Sequence, residues 1–324
     1  MAPRATALRL VAKRTLTPSL CQTMKMRYST VPLAYDLHEP AKPSVGNPNK
    51  NSPIVFMHGL FGSKKNNRTI SKVLARDLGR SVYAIDLRNH GDSPHDPHHN
   101  YTAMAADVGD FIKQHDLKDP CLIGHSMFVP LPPPSPIILP TPSPLRGAKA
   151  AMTLSLTSPT LISSLISVDN APVDARLESD FARYIRGMKE IESSEVTKQS
   201  QADSILQSYE PSVTIRQFLL GNLHRPRHPE SQVQKFKVPL SIIGKALDHL
   251  GDFPFKDPRE VRFEKPALFV RGTKSKYVPD EVIPLIGQFF PRFELVDVEA
   301  GHWLISENPE AFRRAVVEFL SPKE

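Results

Sequence analysis

Gly124-His125-Ser126-Met127 begins a G-x-S-x-G motif that Phe128 breaks, because the second glycine belongs at that position. The glycine comes at Gly147, after the nineteen residues FVPLPPPSPIILPTPSPLR. Without residues 128–146 the chain reads GHSMGAKAAM, a complete nucleophile elbow running into an apolar helix. In such an elbow a serine sits on a sharp turn between strand and helix, with its hydroxyl clear of the sheet. Residues two before and two after it must be small, since the two backbones pass close together. The strand here is DPCLIG, ending at Gly124. The Met127 amide after the serine would point into an oxyanion site, favoured by the following helix N-terminus.

The surrounding chain repeats the strand-then-loop pattern. PIVFMHG (53–59) is an apolar strand entering His58-Gly59-Leu60-Phe61-Gly62, where the Leu60 amide is placed to be the second oxyanion donor. A helix over 67–78, the strand SVYAIDL, the loop Arg88-Asn89-His90-Gly91-Asp92-Ser93 and a helix over 102–115 follow. Strand and helix alternate at the βαβ interval, which predicts an α/β fold with a mostly parallel sheet. Further on, Ala300-Gly301-His302-Trp303 lies between the strand FELVDVE and a terminal helix at 309–320. A histidine after the last strand can take the proton of Ser126. Two aspartates compete to orient it. Asp280 follows the turn Gly272-Thr273-Lys274-Ser275, whose fourth position is a serine where many such folds place an acid. Asp169 ends the strand before, in SVDNAPV; it lies 43 residues after Ser126, or 24 without the insert. Either could instead cap a helix.

PIVFMHGLFGS, DLRNHGDSPH and the rejoined GHSMGAKAAM resemble an α/β-hydrolase family of mitochondria and bacteria. It contains bacterial short-chain esterases, the animal α/β-hydrolase-domain protein eleven and fungal ethanol acetyltransferases. The resemblance runs from about Tyr35 to Leu320 and leaves residues 128–146 without a counterpart. It implies an α/β-hydrolase fold, with an eight-stranded, mostly parallel sheet, helices on both faces and a helical cap. It also implies a triad of Ser126, Asp169 and His302, with Ser275 as an accessory fourth member. The hydrolase core then spans 35–173 and 263–324. Residues 174–262, where the pattern turns helical and charged, form the cap over an apolar acyl pocket.

Of 41 basic residues, Arg4, Arg9, Lys13, Arg14, Lys25 and Arg27 fall in residues 1–35, and no acid precedes Asp36. The remainder has 35 basic against 34 acidic residues, which argues against a nucleic-acid partner. The basic, Ser/Thr-containing start reads as a mitochondrial transit peptide over 1–30, and residues 36–52 as a polar hairpin or loop. Two cysteines exclude a disulfide framework; Cys121 reads as a buried thiol. His95, His98 and His99 lack metal-ligand spacing and read as a solvated turn, and His58 as structural. No metal and no cofactor is expected, and no stretch is long enough to cross a membrane. The chain reads as a monomer.

Eight prolines in nineteen residues cannot continue a helix. The segment sits where strand and helix must join directly, and it reads as a retained intron. The last base of the Met127 codon, Phe128 and the start of Val129 give G-TTY-GT, which fits a splice donor. Arg146 can supply an acceptor AG. Excision of 57 bases keeps frame and restores Met-Gly. The expected activity is hydrolysis of short-chain esters or thioesters through an acyl-serine. The alternatives are an alcohol O-acetyltransferase, with acetyl-CoA as acyl donor and ethanol as acceptor, and a non-catalytic protein with a ruined elbow. Sequencing transcripts across codons 120–155 is expected to find messages lacking the 57 bases; a message that always carries them overturns the intron reading.

Overall fold

A computed structural model of the chain describes residues 29–41, 52–125, 146–174, 179–225 and 232–321. Its sheet strands are β1 (Tyr35–His38), β2 (Ile54–Met57), β3 (Val82–Ile85), β4 (Cys121–His125) and β5 (Ser164–Val168). A short antiparallel ribbon, β6 (Leu223–His224) with β7 (Lys235–Phe236), stands apart. The sheet resumes with β8 (Ala267–Gly272) and β9 (Phe293–Val298). The spatial order is β1-β3-β2-β4-β5-β8-β9, parallel throughout except where β1 pairs with β3. Seven sheet strands are thus present among the described residues, against the eight expected. Residues 42–51, within the expected first hairpin, lie outside them.

The central strands read as unbroken apolar runs because helices cover both sheet faces. Successive side chains of β2 divide between those faces. Ile54 and Phe56 pack with Leu74 of α1 (Arg68–Leu78) and with Phe312 and Val316 of the terminal helix. Val55 and Met57 pack instead with Val108 of α2 (Tyr101–Gln114) and Met152 of α3 (Arg146–Thr157). Between β5 and β8 the chain forms α4 (Ser179–Ser193), α5 (Gln199–Gln207), α6 (Val213–Leu220) and α7 (Leu240–Leu250). The segment from α4 to α7, called the cap below, has an apolar core of its own that includes Tyr184, Met188, Leu206, Leu219 and Ile243. Leu60 and Phe61 of the loop after β2 belong to that same cluster, so the cap rests on this loop. The fold closes with α8 (Ile283–Phe289), α9 (Leu304–Glu307) and α10 (Pro309–Leu320). No helix among the described residues is long and apolar enough to cross a membrane.

The cap is tied down at the C-terminal end of α7, where helix carbonyls lack intrahelical partners. Tyr101 Oη donates to Leu250 O at 2.7 Å and Lys149 Nζ to Gly251 O at 2.9 Å. Lys149 is fully buried, 5.6 Å from the Tyr101 ring centroid. Burial pushes its pKa down from 10.5 to about 7. Above about pH 7 the folded state releases this proton while the unfolded chain keeps it to about 10.5, so the unfolded state binds more protons and stability rises with pH across that window. Lys149→Met is expected to flatten that rise, checked by urea unfolding from about pH 6 to about pH 10.

Candidate active site

The ends of four parallel strands converge on one place. β4 ends at His125, immediately before Ser126; Ser126 and Met127 themselves lie outside the described residues. β2 opens into the turn at 59–62, β5 into Asp169, and β9 into the loop carrying His302.

The strand and helix flanking the break pass each other as an uninterrupted elbow requires. A Cβ on Gly124 would fall 2.5 Å from Cα of Ala148 and 2.6 Å from Gly147 O. One on Gly147 would run into the carbonyl oxygens of His58 and His125. Gly147 is therefore the small residue that the elbow needs, although nineteen residues separate it from Met127 in the chain.

Asp169 is fully buried at φ +52°, a left-handed backbone that aspartate adopts more readily than most residues. Its Oδ1 accepts the Gly272 amide at 3.0 Å. Its Oδ2 accepts the Ser275 hydroxyl at 2.5 Å and also pairs with His302 Nδ1. The His302 ring lies 4.2 Å, centroid to centroid, from that of Tyr277. With Nδ1 turned to the carboxylate, Nε2 is the ring nitrogen on the opposite side, away from Asp169. Asp169, His302 and Ser275 are thus brought together. Asp280 is not: its carboxylate pairs with Arg271 Nη1 at 2.6 Å and is 83% exposed.

Leu60 is the second residue of a turn closed by the Gly62 amide on Gly59 O at 3.0 Å, which leaves the Leu60 amide outside that bond. Phe61, the third residue, has φ +57°, where a turn normally uses glycine. Such a conformation costs about 1–3 kcal/mol in a bulky residue and persists only where neighbours enforce it. His58 fixes the start of the turn. Its Nδ1 donates to Gly59 O at 2.7 Å and its Nε2 accepts the Leu87 amide at 3.0 Å. The far end is held by Asp86, a buried carboxylate that accepts the Lys64 amide and Lys64 Nζ, both at 2.6 Å, and the Asp92 amide at 2.8 Å. Lys64 Nζ also reaches Asp92 at 2.6 Å, and Asp92 pairs with Lys237 of the cap. Arg88 is locked by Asp107 through Nε at 2.5 Å and Nη2 at 2.7 Å. The DLRNHGDS stretch is thus a rigid bracket behind the turn.

Three features were not foreseen from the sequence. His125 is buried with neither ring nitrogen hydrogen-bonded among the described residues, and burial, helped by His302 and His58, holds its pKa well below the usual histidine value. Trp303, beside His302, stands edge-on to Phe218 of α6 at 4.9 Å. His99 is buried against Asn89 Nδ2 at 3.0 Å, so the 95–99 loop is only partly the solvated turn expected. Nothing in local polarity separates a histidine that closes a loop from one that lies in water. Among the described residues no cluster of three metal-ligating side chains occurs, and Cys121 is a buried free thiol.

A match to the family described as alpha/beta hydrolase fold spans residues 52–127 and 145–309, and skips most of the proline-rich segment. The chain belongs to the α/β-hydrolase fold family. It is 37% identical to a probable alcohol acetyltransferase of Saccharomyces cerevisiae, covering 94% of this chain and 88% of that one. It is also 37% identical to the sn-1-specific diacylglycerol lipase ABHD11 of Xenopus laevis, covering 90% and 84%. Among solved structures, a marine microorganism esterase superposes with a TM-score of 0.75 at 30% identity, covering 90% of this chain and all of that one.

The two candidate acids can be separated by substitution. Asp169→Asn is expected to lower kcat/KM by on the order of 10⁴, because an amide selects the wrong imidazole tautomer. Asp280→Asn removes one exposed ion pair and is expected to cost no more than about 1 kcal/mol of stability. Ser275→Ala should fall between them in activity. A crippling Asp280→Asn beside a tolerated Asp169→Asn would overturn the assignment.

Proposed function

We propose that the chain is a serine hydrolase acting on short-chain carboxylic esters or thioesters through an acyl-serine. The observation that carries this reading is the buried Asp169–His302 pair, set among the same strand ends as His125, the residue before Ser126. His302 Nε2 takes the Ser126 hydroxyl proton as the oxygen attacks the acyl carbon, and Asp169 stabilises the imidazolium. The Leu60 and Met127 amides stabilise the oxyanion. The leaving alcohol or thiol departs with the proton from His302, and water then releases the acid by the reverse sequence. The path needs no metal or cofactor.

A second reading is favoured by the acetyltransferase relative: an alcohol such as ethanol, in place of water, accepts an acetyl group delivered by acetyl-CoA. Both readings share one acyl-enzyme, so the ratio of ester to acid formed from acetyl-CoA in ethanol separates them. The acid-free, basic start of the chain supports delivery to the mitochondrion, and a complete set of proposed catalytic residues in one chain is compatible with a monomer.

The proposed active form lacks residues 128–146. Three peptide links from His125 to Gly147 reach about 11 Å. The contact of Gly147 with the His125 carbonyl lies well inside that reach, so the shortened chain can close without moving β4 or α3. Short-chain ester hydrolysis by this form is expected to vanish in Ser126→Ala. The 324-residue form should turn over at least about 10²-fold more slowly, the cost of one lost oxyanion donor. Equal turnover by both forms would show that the segment loops out harmlessly, and activity surviving in Ser126→Ala would place the nucleophile elsewhere.

A further inference from the structure

The oxyanion turn is held from two sides, and one of them belongs to the cap. Asn222, buried just after α6, donates from Nδ2 to Phe61 O at 2.6 Å. The same amide group lies 3.3 Å from Leu219 O, and the Asn222 carbonyl accepts the Lys237 amide at 2.9 Å. The Phe61 ring lies 6.2 Å, centroid to centroid, from Phe181 of α4, so both the carbonyl and the ring of Phe61 are engaged by the cap. Phe61 is also the residue whose left-handed backbone sets the shape of the turn. The Phe61 carbonyl and the Gly62 amide share one peptide plane, and that amide bonds Gly59 O, which shares its own plane with the Leu60 amide. Rotating the Phe61 carbonyl away from Asn222 would therefore disturb the bond that orients the Leu60 amide.

We propose that Asn222 is a positioning residue for the oxyanion turn: its side-chain amide fixes the Phe61–Gly62 peptide plane and, through the Gly62 bond to Gly59 O, aims the Leu60 amide. The proposal rests on the serine-hydrolase reading for its catalytic consequence, but not for the hold itself. The bland alternative is that Asn222 only closes the end of α6 through Leu219 O. The two differ in what a loss of the donor changes. Closing a helix affects stability, whereas aiming an oxyanion donor affects the transition state more than substrate binding.

Asn222→Asp keeps the shape of the side chain and removes the donor, and Asn222→Ala removes both without adding charge. In whichever form hydrolyses esters, each is expected to lower kcat about 10- to 100-fold with KM within about twofold, as misplacement of a catalytic group does. Amide exchange at Gly62, which closes the turn, is followed in the 324-residue chain and normalised to β5 amides, so that a general loss of stability is not read as a local one. It is expected to rise at least about tenfold in both variants. Unchanged Gly62 exchange overturns the proposal whatever the activity. Unchanged kcat in an active background overturns the catalytic part. An unsubstituted protein that hydrolyses no ester in either form defeats the serine-hydrolase reading instead, and the exchange measurement still decides whether Asn222 holds the turn.

Discussion

A buried carboxylate must be paired, and Asp169 meets that requirement by tying three strand ends together. One oxygen binds the last residue of β8 and the other binds Ser275 and His302. Asp169 N in turn donates to Val270 O at 2.7 Å, so backbone and side chain both cross to the neighbouring strand. The positive φ at Asp169 turns its side chain out of the strand direction and toward this cluster. Moving any of the three partners would take a donor from a carboxylate buried in the core. The imidazole therefore keeps its orientation in the free protein.

The elbow shows that packing and chemistry make different demands on one turn. The crossing of β4 and α3 requires only glycines at 124 and 147, and it survives nineteen extra residues between them. Lengthening a two-residue link about tenfold costs about 2 kcal/mol of closure entropy. Many buried contacts along α3, from Ala148 to Leu156, oppose that loss. An oxyanion donor is less tolerant, because it works over a few tenths of an ångström. A chain can thus keep the hydrolase fold and still lose the hydrolase reaction.

Much of this arrangement was legible in the sequence where one residue type has one physical use. The glycines around Ser126 mark a close backbone approach, the apolar runs mark strands covered on both faces, and His302 after the last strand stands where the structure pairs it with Asp169. Asp169 was the harder assignment: spacing left it beside Asp280, and the choice leaned on the family pattern. The structure separates them by burial and by Arg271, which neither residue's local sequence reveals. The hold of Asn222 on Phe61 joins residues 161 positions apart, and it was invisible for that reason. DLRNHGDSPH stands out in the sequence as a signature, but its mechanical role depends on Lys64 and Lys237, two residues that look like ordinary surface charges.

In the proposed reaction water and alcohol would compete for one acyl-serine, so the elements that choose between them would lie outside the proposed triad. Next to His302 the chain meets the cap through Trp303 against Phe218, while the Tyr277 ring packs on the His302 ring. Aromatic surfaces packed beside a proposed base would limit its access to water, and a drier site favours the better-bound acceptor. The same cap carries Asn222 and Phe181, which grip the oxyanion turn. A change in cap packing would therefore alter acceptor access and transition-state stabilisation together. That coupling gives a physical reason why the helices between β5 and β8 could set the choice between water and an alcohol as acceptor.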